Sequence, residues 1–244
     1  MKTIVENKGK FSADSFRVAY VRFMTLPGSH NDTYVSTCHR MFFANMFFRK
    51  LPAEKCPDDD RHNVETVDGL ILPSIAAIAT ACNKNASIEH VEEAAAQCAS
   101  VTRRSSELEQ ASRIWGRFIY ATIREDGDDA VAEHLNQCAE SFGLRRPPGP
   151  DTPDEMTACY LSQSVPSLLD MIAKYMPGND VWKALIANAN VGGENVHRGS
   201  ILGLVLGAQA GDSSLNPNLV NGLYHKDKLA QEIDDFVSAV FNDS

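Results

Sequence analysis

The sequence predicts an all-α protein built from about ten helices. Apolar residues recur at helical spacing along most of the 244 residues, whereas the strict alternation typical of a half-buried strand is nearly absent. Short stretches rich in Gly, Pro, Asp and Asn separate the periodic segments. No break introduces a second core composition and no internal repeat is visible, so we expect a single domain over residues 1–244.

Three helices are predicted in the first half of the chain. The first runs from Asp32 to Lys50, and a Pro- and Asp-rich loop follows in which the run 58–60 (DDD) is expected to be solvated. Val64–Cys82 has the composition of a mostly buried helix that Pro73 kinks. Ser87 opens the next helix, whose apolar periodicity continues to Val101.

The second half adds six predicted helices. The clearest break between them is RRPPGPDTP at 145–153, which is typical of a surface loop. Gly192 and Gly193 interrupt the chain again, before a helix that ends at Gly211. The other five are Ser106–Arg124, Asp128–Phe142, Asp154–Tyr175, Asp180–Asn190 and Lys226–Phe241.

Composition excludes several classes of function. A net charge of -9 and the absence of a basic stripe argue against nucleic acid as a partner. No stretch approaches the roughly 18 apolar residues that span a bilayer, and the first ten residues lack the apolar core of a secretion signal. None of the six cysteines forms a C-x-x-C pair, so we expect reduced, buried thiols in a cytoplasmic protein.

Residues 187–211 (ANANVGGENVHRGSILGLVLGAQAG) are the most informative segment. Glycines at 199, 203, 207 and 211 recur every fourth residue and share one face of a helix. Each interior glycine costs a helix about 1 kcal/mol relative to alanine. We therefore expect a closely packed neighbour on that face.

The start of this helix carries two chemically active side chains. Gly192 and Gly193 can adopt positive φ and form a turn at the helix N-terminus. Glu194 and His197 then share one side of the first turn. Such a pair is either a metal-ligand or acid/base pair, or a capping glutamate beside a core histidine, and the spacing leaves both open.

These residues carry a family resemblance. Residues 187–211 resemble the signature of ADP-ribosylglycohydrolases, in which Gly-Gly precedes Asp-Thr-Asp-Thr and a glycine-rich helix. The Glu-Asn-x-His-Arg-Gly variant is similar to the branch that contains the J-type jellyfish lens crystallins. SHNDTY at 29–34 resembles the family's Thr-Asp-Asp-Thr motif, and a weaker likeness runs from HNVETVDGLILPSIAAIA to ASVTRRSSELEQA within 62–111.

The resemblance covers about residues 15–242 and implies a compact, orthogonal helical bundle. It also implies a missing element, because members begin with a Gly-Asp-Ala-containing helix and an acidic loop that supplies a catalytic carboxylate. Only 29 residues precede His30, and none matches that helix. We therefore expect this chain to lack the family's N-terminal helix.

Members of the family split an N- or O-glycosidic bond to ADP-ribose, with two magnesium ions held between the two motifs by threonine and aspartate oxygens. Carried over to this chain, the ligand positions of the two motifs fall on His30, Asn31 and Asp32, with Thr33 completing the first motif, and on Glu194, Val196 and His197.

The predicted metal site is altered. Only Asp32 and Glu194 keep a carboxylate, and two carboxylates cannot balance four positive charges in a partly buried pocket. Together with His30 and His197 they form a set of two imidazoles and two carboxylates. That set suits a single transition metal better than magnesium. A polar pocket without a metal, satisfied by hydrogen bonds, is the alternative.

The resemblance also assigns roles to these residues. If the protein is active, Asp32 or Glu194 activates water, while His30 and His197 hold a metal or shuttle protons. Arg198 contacts a diphosphate or forms an internal salt bridge. Asp68 is expected to line the site. The residues predicted to bind substrate are Asn31, Thr33, Asn63, Asn195 and Arg198.

The function implied is that of a hydrolase acting on a small-molecule or protein-linked ADP-ribosyl compound, or on a related ribosyl nucleotide. The alternative is a protein that kept the fold and lost the chemistry, either a structural protein like the crystallin relatives or an ADP-ribose-binding protein. The oligomeric state is open, a homodimer included.

Overall fold

The structure is a computed structural model, and it describes residues 1–30, 34–124, 128–144, 148–178, 180–211 and 215–241, apart from the side chains of 128–130. Within these ranges it contains twelve α-helices and three 3-10 turns, and ten of the helices have seven or more residues. Extended pairing there is limited to two isolated bridges, Asp58–Arg103 and Thr66–Tyr160. The predicted all-α class is confirmed.

The helices follow one another with short connections. Their bounds are α1 (Lys2–Glu6), α2 (Ala13–Thr25), α3 (Thr37–Phe47), α4 (Ile71–Ala81), α5 (Ile88–Ala99), α6 (Ser106–Arg124), α7 (Asp128–Ser141), α8 (Leu161–Tyr175), α9 (Val181–Val191), α10 (Asn195–Ala210), α11 (Pro217–Asn221) and α12 (Lys226–Phe241).

Two predictions about helix geometry are wrong. Pro73 does not kink a helix, because α4 begins at Ile71 and the proline occupies its first turn, where its missing N–H costs no intrahelical bond. The helix predicted from Asp154 begins only at Leu161. Residues 154–158 have no regular structure and pack on the start of α10.

The core lies between α4, α5 and α6, with α8 and α10 against them. Trp115 on α6 is fully buried, and its indole N–H donates to the Ser74 hydroxyl on α4 at 2.8 Å. This bond satisfies both polar groups in an otherwise apolar layer. The rigid centre holds three chain segments that meet at the site: the turn before α4, the loop before α6 and the first turn of α10.

All six cysteines are free thiols, as predicted. Cys38, Cys56, Cys98 and Cys138 are buried, and the other two are half-buried. Within the described ranges, none of the helices has the length and apolar character required to cross a membrane.

The glycine face of α10 is only partly explained by close packing. A Cβ on Gly199 would lie 2.6 Å from the Asn188 side chain on α9, so that glycine is required by its neighbour. At Gly203 the Leu185 side chain would be 3.5 Å away, an ordinary contact, and nothing lies within 4 Å of a Cβ on Gly207. Gly211 has φ +76° and ends the helix. The expectation of tight packing therefore holds at Gly199 and is wrong at Gly207.

We predict opposite effects for two alanine substitutions on this face. Gly207→Ala is expected to raise the free energy of unfolding by about 0.5–1 kcal/mol, because alanine costs less backbone entropy and meets open space. Gly199→Ala is expected to lower it, because its methyl group displaces Asn188. Urea unfolding monitored by circular dichroism measures both, and a loss of stability in Gly207→Ala would contradict the packing described here.

Candidate functional site

The centre of the candidate site is an ion pair between Arg103 and Asp68. Asp68 lies in the 3-10 turn Val67–Leu70 before α4, and Arg103 lies in the loop between α5 and α6. The guanidinium donates to both oxygens of Asp68. It also donates to the Thr66 hydroxyl at 2.8 Å and to the Val64 carbonyl at 3.2 Å. Arg103 therefore ties the turn before α4 to the loop before α6.

The Asp68 carboxylate is ionised and partly accessible. Its side chain is 24% exposed, whereas that of Arg103 is 6% exposed. Burial acts to raise the pKa of Asp68, but the charge and hydrogen bonds of Arg103 and the Thr66 hydroxyl outweigh it and lower that pKa below its usual value. At neutral pH Asp68 can therefore accept a proton or stabilise positive charge, and it cannot donate a proton.

The first turn of α10 forms a second part of the site. Gly192 and Gly193 have φ of +72° and +64°, which confirms the predicted turn. A Cβ on Gly193 would lie 2.5 Å from the Thr157 carbonyl oxygen. That same oxygen accepts the Glu194 N–H at 2.9 Å. The segment around Thr157 thus fixes where α10 begins.

Glu194 and His197 form a direct pair. Glu194 caps α10 by accepting the His197 N–H at 3.4 Å, and its Oε1 lies 2.5 Å from His197 Nδ1. The His197 side chain is 43% exposed, so it is not a core histidine. Glu194 therefore caps the helix and also orients the imidazole, which combines the two alternatives left open by the sequence.

The Glu194–His197 pair lies at the start of α10, which packs against the turn that holds Asp68. The charge of His197 contributes to the lowered pKa of Asp68. Burial raises the pKa of the Cys159 thiol, and the negative charges of Glu194 and Asp68 raise it further. Two carboxylates, an imidazole and a thiol from three parts of the chain therefore share one polar region.

Arg198 lies beside this region and is fully buried. Its guanidinium donates to the Asn188 side chain at 2.7 Å and to the Thr157 hydroxyl at 2.9 Å. Further acceptors are the Ser167 hydroxyl and the carbonyls of Glu155 and Gly192. These acceptors are all neutral, so Arg198 forms no internal salt bridge with the described residues. Its assignment to substrate binding stays a prediction.

The first motif is described only in part. Asn31, Asp32 and Thr33 lie outside the described residues, so their predicted roles stay predictions. The His30 ring packs against Phe23 in a tilted arrangement, with centroids 5.4 Å apart. It lines an apolar groove of about 470 Å³ along α2 and α3 that also includes His39.

The first turn of α3 approaches the ion pair from another direction. His39 Nδ1 lies 2.7 Å from the Tyr20 hydroxyl. Burial lowers the pKa of His39, the nearby Arg103 charge lowers it further, and Asp68 acts in the opposite direction. Burial also raises the pKa of Tyr20. A Tyr–His pair therefore lies near Arg103 and Asp68, and the lowered pKa of His39 and the raised pKa of Tyr20 keep it neutral at pH 7.

The described residues do not fit a pair of magnesium ions. In the part of the chain that the structure describes, no three His, Cys, Asp or Glu side chains lie together so as to hold a metal. Glu194 and His197 are bonded to each other, and His30 packs on Phe23. Two magnesium ions need many more oxygen ligands than these groups supply. The single-metal site with Asp32 stays a prediction.

The remaining substrate-binding candidates are bonded to protein groups. Asn63 has φ +56°, and its side-chain oxygen accepts the Tyr160 hydroxyl at 3.1 Å. The Asn195 amide donates to the Ala189 carbonyl at 3.3 Å.

The sequence predicted only a lining role for Asp68, although it is the one charged residue in the apolar run VDGLILP. Arg103 and Tyr160 were missed, and neither carries a local signal.

We predict that Asp68→Asn is destabilising by about 3 kcal/mol at pH 7, because it leaves the buried Arg103 charge unpaired. The folded-state pKa of Asp68 is below the unfolded value of 3.8, so the stabilisation is complete above that pH and is lost as the pH falls through the folded pKa. The difference in free energy of unfolding between wild type and Asp68→Asn, measured by urea unfolding, should be smaller at pH 3 than at pH 7. The substitution Asp151→Asn at an exposed position serves as control. A difference in free energy of unfolding that does not change with pH would refute the role assigned to the Arg103–Asp68 pair.

The comparisons with known proteins agree with this architecture. The sequence model of the ADP-ribosylglycohydrolase family matches residues 1–244, the whole chain. No curated protein matches it. Because the family match extends over the full length, the chain belongs to the ADP-ribosylglycohydrolase family.

Proposed function

We propose that the protein hydrolyses a glycosidic bond to ADP-ribose or to a related ribosyl nucleotide, at a site altered from the family's magnesium pair. The observation that carries this proposal is the Glu194–His197 pair at the start of α10, a helix that packs against the turn holding the ionised carboxylate of Asp68. Family membership supports the ADP-ribosyl substrate class. The six free thiols support a reducing, cytoplasmic setting.

The three side chains divide the work of glycoside hydrolysis. Cleavage passes through a transition state with positive charge on the ribose ring, and the ionised Asp68 stabilises that charge. His197 Nδ1 is bonded to Glu194, so Nε2 exchanges a proton with the attacking water or the leaving group. A base oriented by a third group is the usual arrangement for such proton transfer.

We expect the purified full chain to hydrolyse at least one of ADP-ribosyl-arginine, ADP-ribosyl-serine and O-acetyl-ADP-ribose. Assays run with chelator and with added magnesium, manganese, zinc or iron, and chromatography measures released ADP-ribose. His197→Gln should lower kcat/KM by about 100-fold or more, because the proton-transfer group is lost while the side chain stays polar.

The matched control is His225→Asn, since His225 is exposed with φ +57° and asparagine tolerates that conformation. It should retain full activity. Absence of turnover with every substrate and metal would reject the hydrolase proposal.

The alternative is a protein that binds ADP-ribose without cleaving it, or a structural protein. The poor fit of the described residues to two magnesium ions is the observation that supports this alternative. A ligand that binds only the folded state raises the melting temperature. A rise with ADP-ribose in a protein without turnover would establish binding without catalysis. No response to ADP-ribose would leave the structural role.

A further inference from the structure

Arg198 lies in the first turn of α10, and its side chain is fully buried. Successive residues of a helix point about 100° apart, so its guanidinium is directed into the protein while the neighbouring His197 side chain is 43% exposed. The guanidinium reaches α9 through Asn188, the segment before α8 through Thr157, and the turn before α10 through Gly192. One side chain therefore joins three chain segments.

The same three segments also hold the backbone at the start of α10. The Thr157 carbonyl accepts the Glu194 N–H at 2.9 Å. The Asn188 side-chain amide donates to the Asn195 carbonyl at 2.7 Å. Gly192 lies two residues before Glu194 in the chain. Each segment that Arg198 bonds thus has a second, direct link to the first turn of the helix.

Close packing leaves this turn little room to move. A Cβ on Gly193 would lie 2.5 Å from the Thr157 carbonyl oxygen, and a Cβ on Gly199 would lie 2.6 Å from the Asn188 side chain. Both neighbours are hydrogen-bonded to Arg198. A backbone packed this closely against them is held in place only while they are held.

We propose that Arg198 is a positioning residue for the Glu194–His197 pair. Its planar guanidinium has N–H donors in fixed directions, which hold several acceptors in one arrangement. That arrangement determines where Glu194 leaves the turn, and Glu194 Oε1 then orients the imidazole from Nδ1 at 2.5 Å. The inference rests on the proposed hydrolysis, because its consequence is the presentation of His197 Nε2 to the substrate.

A positioning role and a contact with substrate make different demands on this side chain. Lysine keeps the charge of Arg198 but is a point donor that cannot reproduce the guanidinium fork. An anionic substrate would still be attracted by lysine, whereas the three chain segments would no longer be held together. Loss of a substrate contact raises KM, and misplacement of the proton-transfer group lowers kcat.

NMR of the imidazole nitrogens and steady-state kinetics of the full chain test the inference. In the wild type, at a pH where the ring is neutral, His197 should carry its proton on Nδ1, because a carboxylate accepts only from a protonated nitrogen. Arg198→Lys should lose this preference for Nδ1 and lower kcat by roughly 100-fold with KM unchanged, as expected for a small misplacement. His197→Gln identifies the signals.

Arg124→Lys is the matched control. Arg124 also joins two chain segments through neutral oxygens, since it donates to the Ala81 carbonyl at 2.6 Å and to the Asn83 carbonyl. This variant should keep the proton on His197 Nδ1 and the wild-type kcat, even if its melting temperature falls.

Thr157→Val keeps the test valid if Arg198→Lys does not fold. It removes one acceptor of Arg198 but leaves the carbonyl that accepts the Glu194 N–H, and it should show the same two changes to a smaller extent. Its control is Thr122→Val, at a buried threonine whose hydroxyl is bonded within α6.

Three results would overturn the inference. They are a wild-type ring without preference for Nδ1, wild-type tautomer and kcat in both Arg198→Lys and Thr157→Val, and a rise in KM at unchanged kcat, which would establish a substrate contact. If the wild type turns over no substrate, the proposed hydrolysis fails, and the tautomer of His197 alone decides the role of Arg198.

Discussion

The buried ion pair between Arg103 and Asp68 is the constraint on which the site depends. A guanidinium that is almost entirely removed from water needs a carboxylate and further acceptors, and Val64, Thr66 and Asp68 in the segment before α4 supply most of them. The first turn of α3 lies near the pair through His39, and α10 packs against the turn that holds Asp68. Asp32 lies outside the described residues, so the meeting of the two motifs that the family resemblance implies stays a prediction.

The side chains around this pair also give the candidate site its chemical character. The family's second motif is rich in carboxylates, whereas this chain offers Glu194 bonded to His197. Asp68 adds a second carboxylate whose ionisation Arg103 maintains. An imidazole oriented by a carboxylate is a common arrangement for proton transfer, and it needs no metal.

Sequence patterns predicted the fold well wherever the controlling interactions are local. The ends of α6 and α12 were predicted to the residue, Ser87 caps α5, and the Gly192–Gly193 turn has positive φ. The Arg103–Asp68 pair was not predicted, because its partners lie 35 positions apart and neither has a local signature. The run 58–60 was expected to be solvated, but Asp58 is only 1% exposed. Its burial was missed for the same reason, since a backbone pairing with a distant loop determines it. Local periodicity carries no information about such contacts.

The environment of Arg198 has a consequence for the entry of the chain into α10. Among the described residues its guanidinium donates to oxygens of α9, of the segment at Thr157 and of Gly192, and the charges of Glu194 and Asp154 act on it from nearby. Loss of this one side chain would leave buried oxygens of three chain segments without a donor at the same time. The position of the Glu194–His197 pair therefore depends on a neighbour that is not a member of the pair.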